Sequence, residues 1–410
     1  MQTSQGSHAG RKAGLPQSFI LLLGSCLPVL GAVLLAPVLP RMQAHFTEAP
    51  GAVALVPIVL TLPALMIALL APFAGVVTDK FGRRPLLLAC MVVYTLCGVL
   101  PIWLDSLYAI IATRAGLGVA EAGIMTVCTT LIGDYYSGIR RQRLLALQTV
   151  FASTSAVIFI ALGGVLGQEG WRTPFVLYGV GFIFIPLILV FIWEPRHAGT
   201  AQAGAPLCGG RFPWRQISPL YGLAVMAGAS LMIVPVQAGY LLNSIGVNAP
   251  SQIGMTMGAN QLGVVVGAMS FRLLGRIPFQ HLLLAALAVA GAGLLTMGAA
   301  QSHSHVLVGV AVNGLGVGLM IPVLLTWIMS LVDFDMRGRA AGGFTAAFFG
   351  GEFLSPLMVL AITAGDLGRL GTALNIVGGW HVALALGCLI LPAIGAFDPR
   401  ASAEPSRGEA

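Results

Sequence analysis

Charge is scarce in this chain of 410 residues. Its 21 basic and 14 acidic side chains make up 9% of the sequence, against about 25% in an average soluble protein, which is too few to cover the surface of a large water-soluble domain. Lysine is almost missing, with Lys12 and Lys80 beside 19 arginines. Cysteine is sparse and unpatterned. Cys26, Cys90, Cys97, Cys128 and Cys388 fall within apolar runs, Cys208 stands alone in a long polar stretch, and no CxxC spacing occurs, so neither a disulfide framework nor a metal site is expected. Short alternating segments of the barrel type are missing too, which leaves helices as the way across a bilayer.

What the chain has is apolar length. Hydrophobic residues make up 57% of it, and its mean hydropathy is +0.91. Continuous apolar runs lie at 17–40, 52–78, 86–104, 106–131, 144–167, 174–193, 217–242, 251–272, 279–299, 305–331, 340–364 and 379–396. Each approaches or exceeds the roughly 20 residues that a spanning helix requires. The expectation is an all-α polytopic membrane protein of twelve transmembrane helices. The residues before Phe19 are polar with no small-residue cleavage site, so the first run is read as a retained span. A polar interruption at 194–216 divides the chain into an N-terminal six-helix bundle, 1–193, a cytoplasmic linker, and a C-terminal six-helix bundle with a short tail, 217–410.

The two halves echo each other. Gly82-Arg83-Arg84-Pro85 after the second run returns as Gly275-Arg276-Ile277-Pro278 after the eighth; Gly116-Leu117-Gly118-Val119 returns as Gly314-Leu315-Gly316-Val317; Asp134 returns as Asp333. Offsets of 193, 198 and 199 residues in unchanged order describe an internal repeat of the transporter kind. The net charge of +7 could suggest nucleic acid in a soluble chain, but here the basic residues cluster between apolar runs. With the N-terminus in the cytoplasm, 17 basic residues lie inside and only Arg41, Arg172 and Arg369 lie outside, so both termini are expected in the cytoplasm and the protein in the plasma, or cell inner, membrane. No nucleic-acid partner is expected.

Gly75-Val76-Val77-Thr78-Asp79-Lys80-Phe81-Gly82-Arg83-Arg84 resembles the loop signature of the major facilitator superfamily, at the place that family puts it. Pro37-Val38-Leu39-Pro40 at the end of run one resembles family positions as well, as do Arg114 through Gly118 to Glu121 in run four, and Gly163-Gly164 followed by Gly170-Trp171-Arg172 and Phe175. The first-half motifs resemble the drug:proton antiporter branch, although Phe159-Ile160 precedes the paired glycines where exporters often carry Gly-Pro. The Arg-then-Glu spacing of run four is similar to that of Spinster-like and organic-anion:proton symporter branches, whose frequent acid in run one has no counterpart here. The resemblance implies alternating access, with Gly75, Asp79, Gly82, Arg83 and Arg84 forming a latch between the halves that breaks and re-forms.

Among the acids, only Glu121 and Glu352 fall deep within runs. A charged residue at a helix centre costs about 2.5–3.5 kcal/mol on insertion scales, so such groups usually face a cavity and serve a function. Arg114 and Glu121 are two helical turns apart on one stripe, about 10.5 Å, and are read as lining the substrate cavity or as a structural ion pair between helices. Glu352, within Phe348-Phe349-Gly350-Gly351-Glu352-Phe353, is read either as a proton-exchanging carboxyl or as a neutral one that hydrogen-bonds a neighbouring helix. Ser153, Thr154, Ser155, Gln237, Asn260, Gln261 and Asn313 are cavity candidates that could equally be interhelical hydrogen-bonding groups. His303 and His305 are read as solvated rather than metal-binding.

The expected function is a proton-coupled secondary active transporter of a small organic solute, a monomer embedded in the lipid bilayer, using protons and no cofactor. Efflux is the preferred direction. Import of a small organic anion with protons, Arg114 pairing with the anion, is the alternative. A membrane enzyme or sensor is the remote third reading, because no nucleophile, base and metal constellation is present.

Overall fold

The structure, a computed structural model, describes residues 13–195, 212–333 and 336–390, with the side chains of Asp79 and of residues 388–390 outside the described set. Arg11, Lys12, Arg196, Cys208, Arg211, Arg400 and Arg407, the side chain of Cys388 and most of the expected linker therefore lie outside the described residues. Among those described, all regular structure is helical.

The first span is broken into α1 (Leu15–Gly24), α2 (Leu27–Val33) and α3 (Leu39–His45), with a 3-10 turn at Ala36–Val38. Pro28, Pro37 and Pro40 each remove a helical N–H donor, which accounts for the pieces. The chain returns through α4 (Ala52–Leu70), and a turn at 71–73 separates α5 (Ala74–Phe81), so the expected second run is two helices rather than one. Then follow α6 (Arg83–Val99), α7 (Leu107–Tyr135), α8 (Gly138–Leu166), and a sixth span made of a 3-10 segment, Thr173–Val180, leading into α9 (Gly181–Phe191).

The second half comprises α10 (Trp214–Ser244), α11 (Pro250–Leu273), α12 (Phe279–Gly298), α13 (His303–Ser330), α14 (Arg337–Thr363) and α15 (Leu370–Ile390). Eleven of the spans are long and apolar enough to cross a membrane by length and composition alone. The exception is α11, whose Ser251, Gln252, Thr256, Asn260 and Gln261 dilute its apolar character. The last span starts at Leu370, nine residues before the expected 379. Its weakly apolar first turns stay helical because Gly371 and Gly378 pack directly on the backbone of Gly298 and Gly291 in α12.

The repeat is visible in which helices touch. The fourth span, α7, packs on α4 and α6; the tenth, α13, packs on α11 and α12. The first span lies against the fourth and fifth, and α10 lies against α13 and α14 in the same relation. Between the halves, α8 packs on α11 and α4 packs on α14, an exchange of equivalent positions. The chain is thus twelve transmembrane helices in two six-helix repeats.

The seam between the halves is tightest at the end of the bundle away from the α5–α6 turn, here called the far end. There a Cβ added at Gly164 would lie 2.7 Å from the Pro250 carbonyl, and one at Gly254 would lie 3.0 Å from the Ile160 carbonyl, so only glycine lets α8 and α11 approach this closely. Gly239 of α10 rests on Pro40, and Gln168 donates a 2.7 Å hydrogen bond to Ser251 across the seam. At the near end, Gly75 of α5 and Gly342 of α14 face open space, and Val76 and Phe81 are 70% and 62% exposed. The far end is closed and the near end splayed.

Candidate functional site

Arg114 sits on α7 with no solvent exposure at all. Its guanidinium donates to the Tyr178 hydroxyl at 2.8 Å and lies 4.8 Å from the Tyr178 ring centre and 5.1 Å from that of Phe175. The sixth span begins as a 3-10 helix, in which residues three apart eclipse, so Phe175 and Tyr178 present their rings on one side beneath the cation. Desolvated cation–π contacts of this sort contribute about 2 kcal/mol. Tyr94, its own hydroxyl bonded to the Leu27 carbonyl at 3.0 Å, stands 5.6 Å from Tyr178 between ring centres. Nε and Nη2 of Arg114 are buried with no hydrogen-bond partner. A guanidinium held by its aromatic neighbours with two donors left over can receive an acceptor group.

Glu121, two turns along α7, is 1% exposed, and its Oε1 also lacks a partner. It makes no salt bridge with Arg114 within 4.0 Å, so the direct ion pair is not formed in this conformation. Its carboxyl occupies space opened by Gly31 of α2, where an added Cβ would lie only 1.8 Å from Oε1. Gly98 does the same for Tyr178, at 2.4 Å from its Cβ.

From the other half, Glu352 on α14 is 4% exposed, with Oε2 unpartnered. It belongs to the opposite half from Glu121. Gly228 of α10 lets the α14 backbone approach here, since an added Cβ would stand 1.9 Å from the Phe348 carbonyl. Proline at 356 has no N–H to give the Glu352 carbonyl four residues back, so this point of α14 carries a surplus of acceptors. Arg114 and Glu121, packed within the first half, and Glu352 of the second are thus three buried ionisable groups with unmet hydrogen-bonding capacity.

The uncharged candidates divide. Asn313 donates to Ser230 and to the Ala290 carbonyl, both at 3.2 Å, and accepts from Asn260 at 3.4 Å, while Asn260 also donates to the Val310 carbonyl at 2.8 Å. This network ties α10, α11, α12 and α13 together. Ser155 donates within its own helix to the Ala152 carbonyl at 2.8 Å; Ser153 is half-buried and Thr154 exposed on the same helix. Gln261 is buried in α11, and Gln237 lines a cavity near the far end between α4, α10 and α14. His303 Nε2 is 2.8 Å from the Thr256 hydroxyl.

At the near end, Gly82 takes a φ of 83°, a left-handed backbone that turns α5 into α6 and favours glycine. Arg83 pairs with Asp134 at 3.3 Å, and Arg84 donates to the Leu189 carbonyl at 2.8 Å. The side chain of Asp79 lies outside the described residues. Sequence reasoning missed Glu194, placed at the start of the linker. Its carboxylate accepts from the backbone N–H groups of Arg83 and Arg84 at 2.8 and 2.7 Å, capping the positive end of α6. Tyr94 and Tyr178 were missed as well; their one signal was a phenol within an otherwise apolar run.

A sequence profile of the Major Facilitator Superfamily matches residues 21–356. The tetracycline resistance protein, class C, of Escherichia coli is 24% identical over 399 residues, 92% of this chain and 96% of that protein. Among solved structures, the D-xylose-proton symporter superimposes with a TM-score of 0.73 at 15% identity, covering 91% of this chain and 96% of its own. A bacterial homologue of the human lysosomal transporter Spinster, inward-facing and unoccupied, gives 0.67 at 17% identity, covering 94% and 96%. With a helical architecture of two repeats and a profile match over most of its length, this integral membrane chain belongs to the Major Facilitator Superfamily and is a transporter, not an enzyme.

Proposed function

We propose that this transporter is proton-coupled and exports a small amphipathic organic solute by alternating access. The observation that carries the reading is the pair of buried carboxyls, Glu121 and Glu352, contributed by opposite halves, each with an unpartnered oxygen. An ionised carboxyl without a partner is costly in a low-dielectric interior, so a proton on either one eases the closing of the bundle around it. That links protonation to the state of the seam, which is the requirement for coupling. The positive-inside bias supports the near end as cytoplasmic, which makes this conformation inward-open and ready to accept a solute from the cell. Similarity to a tetracycline resistance protein supports export. Two six-helix units, 1–193 and 217–410, acting as a monomer in the plasma membrane complete the proposal, and the near-end segment from Gly75 through Arg84 acts as the latch when that end closes.

A second reading, import of an organic anion with protons, is favoured by the two free donors of Arg114, which suit a carboxylate. Proteoliposomes loaded with a panel of hydrophobic amines and organic acids, under an imposed pH gradient, separate the two. Export by antiport predicts solute accumulation opposite to the proton flow, lost in Glu121→Gln or Glu352→Gln while solute exchange continues. Accumulation of an acid in the same direction as the protons would replace export by import. Undiminished accumulation in both variants would overturn the coupling role of the pair.

A further inference from the structure

We infer that Ser355 and Tyr240 form a proton route from Glu352 to the far face of the membrane, one that stays usable while the seam is shut to the solute. The inference rests on the proton-coupling reading above. Glu352, Pro356, Val359 and Thr363 recur at the three- and four-residue spacing that places them on one stripe of α14, with Ser355 beside it, about 4.5 Å of helix beyond Glu352. Ser355 has no solvent exposure, and its hydroxyl has no hydrogen-bond partner. In a helix a serine hydroxyl ordinarily bonds back to the preceding turn, and an orphaned one in a buried seam is costly.

The next turns of that stripe, Pro356, Val359 and Thr363, line a cavity of about 30 Å³. Facing them from α10 are Gln237 and Tyr240, three residues apart and therefore on one face. Tyr240 is 8% exposed, and its hydroxyl too is buried without a partner. The cavity extends to Gly365 and Leu367 in the loop at the far end. A space of this volume holds one or two waters; its walls are mostly apolar, and Gln43, Gln237, Thr363 and the orphaned hydroxyl of Tyr240 give those waters their partners, while Ser355 stands next in the chain to Pro356 of the cavity wall.

The transfer balances as a relay. A proton from the far face reaches the Tyr240 oxygen as Tyr240 releases its own to water in the cavity; that water passes a proton to the Ser355 oxygen as Ser355 releases its own to the Glu352 carboxylate, so one proton moves inward, opposite to the exported solute. No bond other than O–H is made or broken. Of the ionisable groups on neighbouring elements, α7 carries Glu121; on α10, Tyr221 bonds the Ala340 carbonyl, twelve residues before Glu352, and Tyr240 lies at the cavity; α4 has none; His303 and His305 stand at the exposed start of α13; and His381 of α15 is turned onto α12 at Gly291. Nothing charged lies along the stripe beyond Glu352 to trap the proton.

The test uses the full chain in proteoliposomes and compares wild type with Ser355→Ala, Tyr240→Phe and Glu352→Gln. Proton-driven solute accumulation is measured beside solute counterflow, which needs no net proton movement. The route predicts that Ser355→Ala and Tyr240→Phe slow accumulation about tenfold, equivalent to roughly 1.4 kcal/mol of barrier, with counterflow within twofold of wild type. Wild-type accumulation in both, alongside loss in Glu352→Gln, would overturn the route and leave the coupling reading standing. Accumulation retained in Glu352→Gln would overturn both. Parallel loss of counterflow and accumulation in both hydroxyl variants would assign these side chains to packing or to the solute and also overturn the route.

Discussion

The fourth and tenth spans occupy equivalent places, yet they carry different chemistry. On α7, Arg114 and Glu121 are buried among aromatic rings and small residues. The matching positions of α13, counted by the repeat of 198 residues, are Val312 and Leu319, and the polar group there is Asn313, whose hydrogen bonds are all spent on neighbouring helices. The same contrast holds in the first span of each repeat. Gly31 of α2 makes room for the end of the Glu121 side chain, whereas Gly228, 197 residues on, makes room for the backbone of α14. One architecture is therefore stable with and without buried charge in this layer. Arg114 and Glu121 are not demanded by the packing of the repeat, and the burden of explaining them falls on transport.

The largest effect expected from breaking the comparison is at Arg114. Arg114→Leu strips Tyr178 of its partner and the site of its cation, and should reduce the initial rate of solute flux in proteoliposomes by about two orders of magnitude, near 2.7 kcal/mol of barrier. Val312→Leu, its counterpart, should stay within a few fold. Next come the paired glycines. A Cβ at Gly228 meets a backbone carbonyl that cannot turn aside, so Gly228→Ala should lower stability by about 1–3 kcal/mol, read as a fall in melting temperature in detergent. Gly31→Ala meets only a carboxylate end, which can shift, and should disturb proton-driven accumulation more than it disturbs melting.

Smaller changes sharpen the contrast between capping and network. Glu194→Gln keeps one of the two acceptor oxygens and loses the other together with the charge facing the α6 N-terminus, a loss of roughly 1–2 kcal/mol in melting experiments, of which the charge part shrinks as salt is added. Asn313→Ala removes interhelical hydrogen bonds that average about 0.6 kcal/mol each in membrane proteins. It should lower melting slightly and leave transport rate unchanged, which would confirm packing as its role.

Much of this was legible in the residues. Continuous apolar length fixes helices, the Gly-Leu-Gly-Val echo and the paired aspartates fix the repeat, and an arginine and two glutamates within apolar runs stand out because burying them is expensive. What escaped depends on contacts distant in sequence. Nothing local in Glu194-Pro195 says that the carboxylate turns back to cap α6, 111 residues earlier. Tyr178 looks like an ordinary apolar residue until the 3-10 turn aims it at Arg114 and Gly98 clears its path. The expected start of α15 falls late because Gly371, Asn375, Gly378 and Gly379 weaken the apolar signal, while Gly371 and Gly378 are what lets α15 reach α12. The breaks in the first span follow from prolines that a run-length reading passes over.

The central claim is that the solute and a proton move in one cycle that uses the buried acids of the two halves, Glu121 and Glu352. Its most direct test is a recording of internal pH in proteoliposomes when a transported solute is added, for wild type, Glu121→Gln and Glu352→Gln. The account predicts a solute-dependent proton flux in wild type that disappears in Glu352→Gln while labelled solute still exchanges. Proton flux at the wild-type rate in both Gln variants would contradict it.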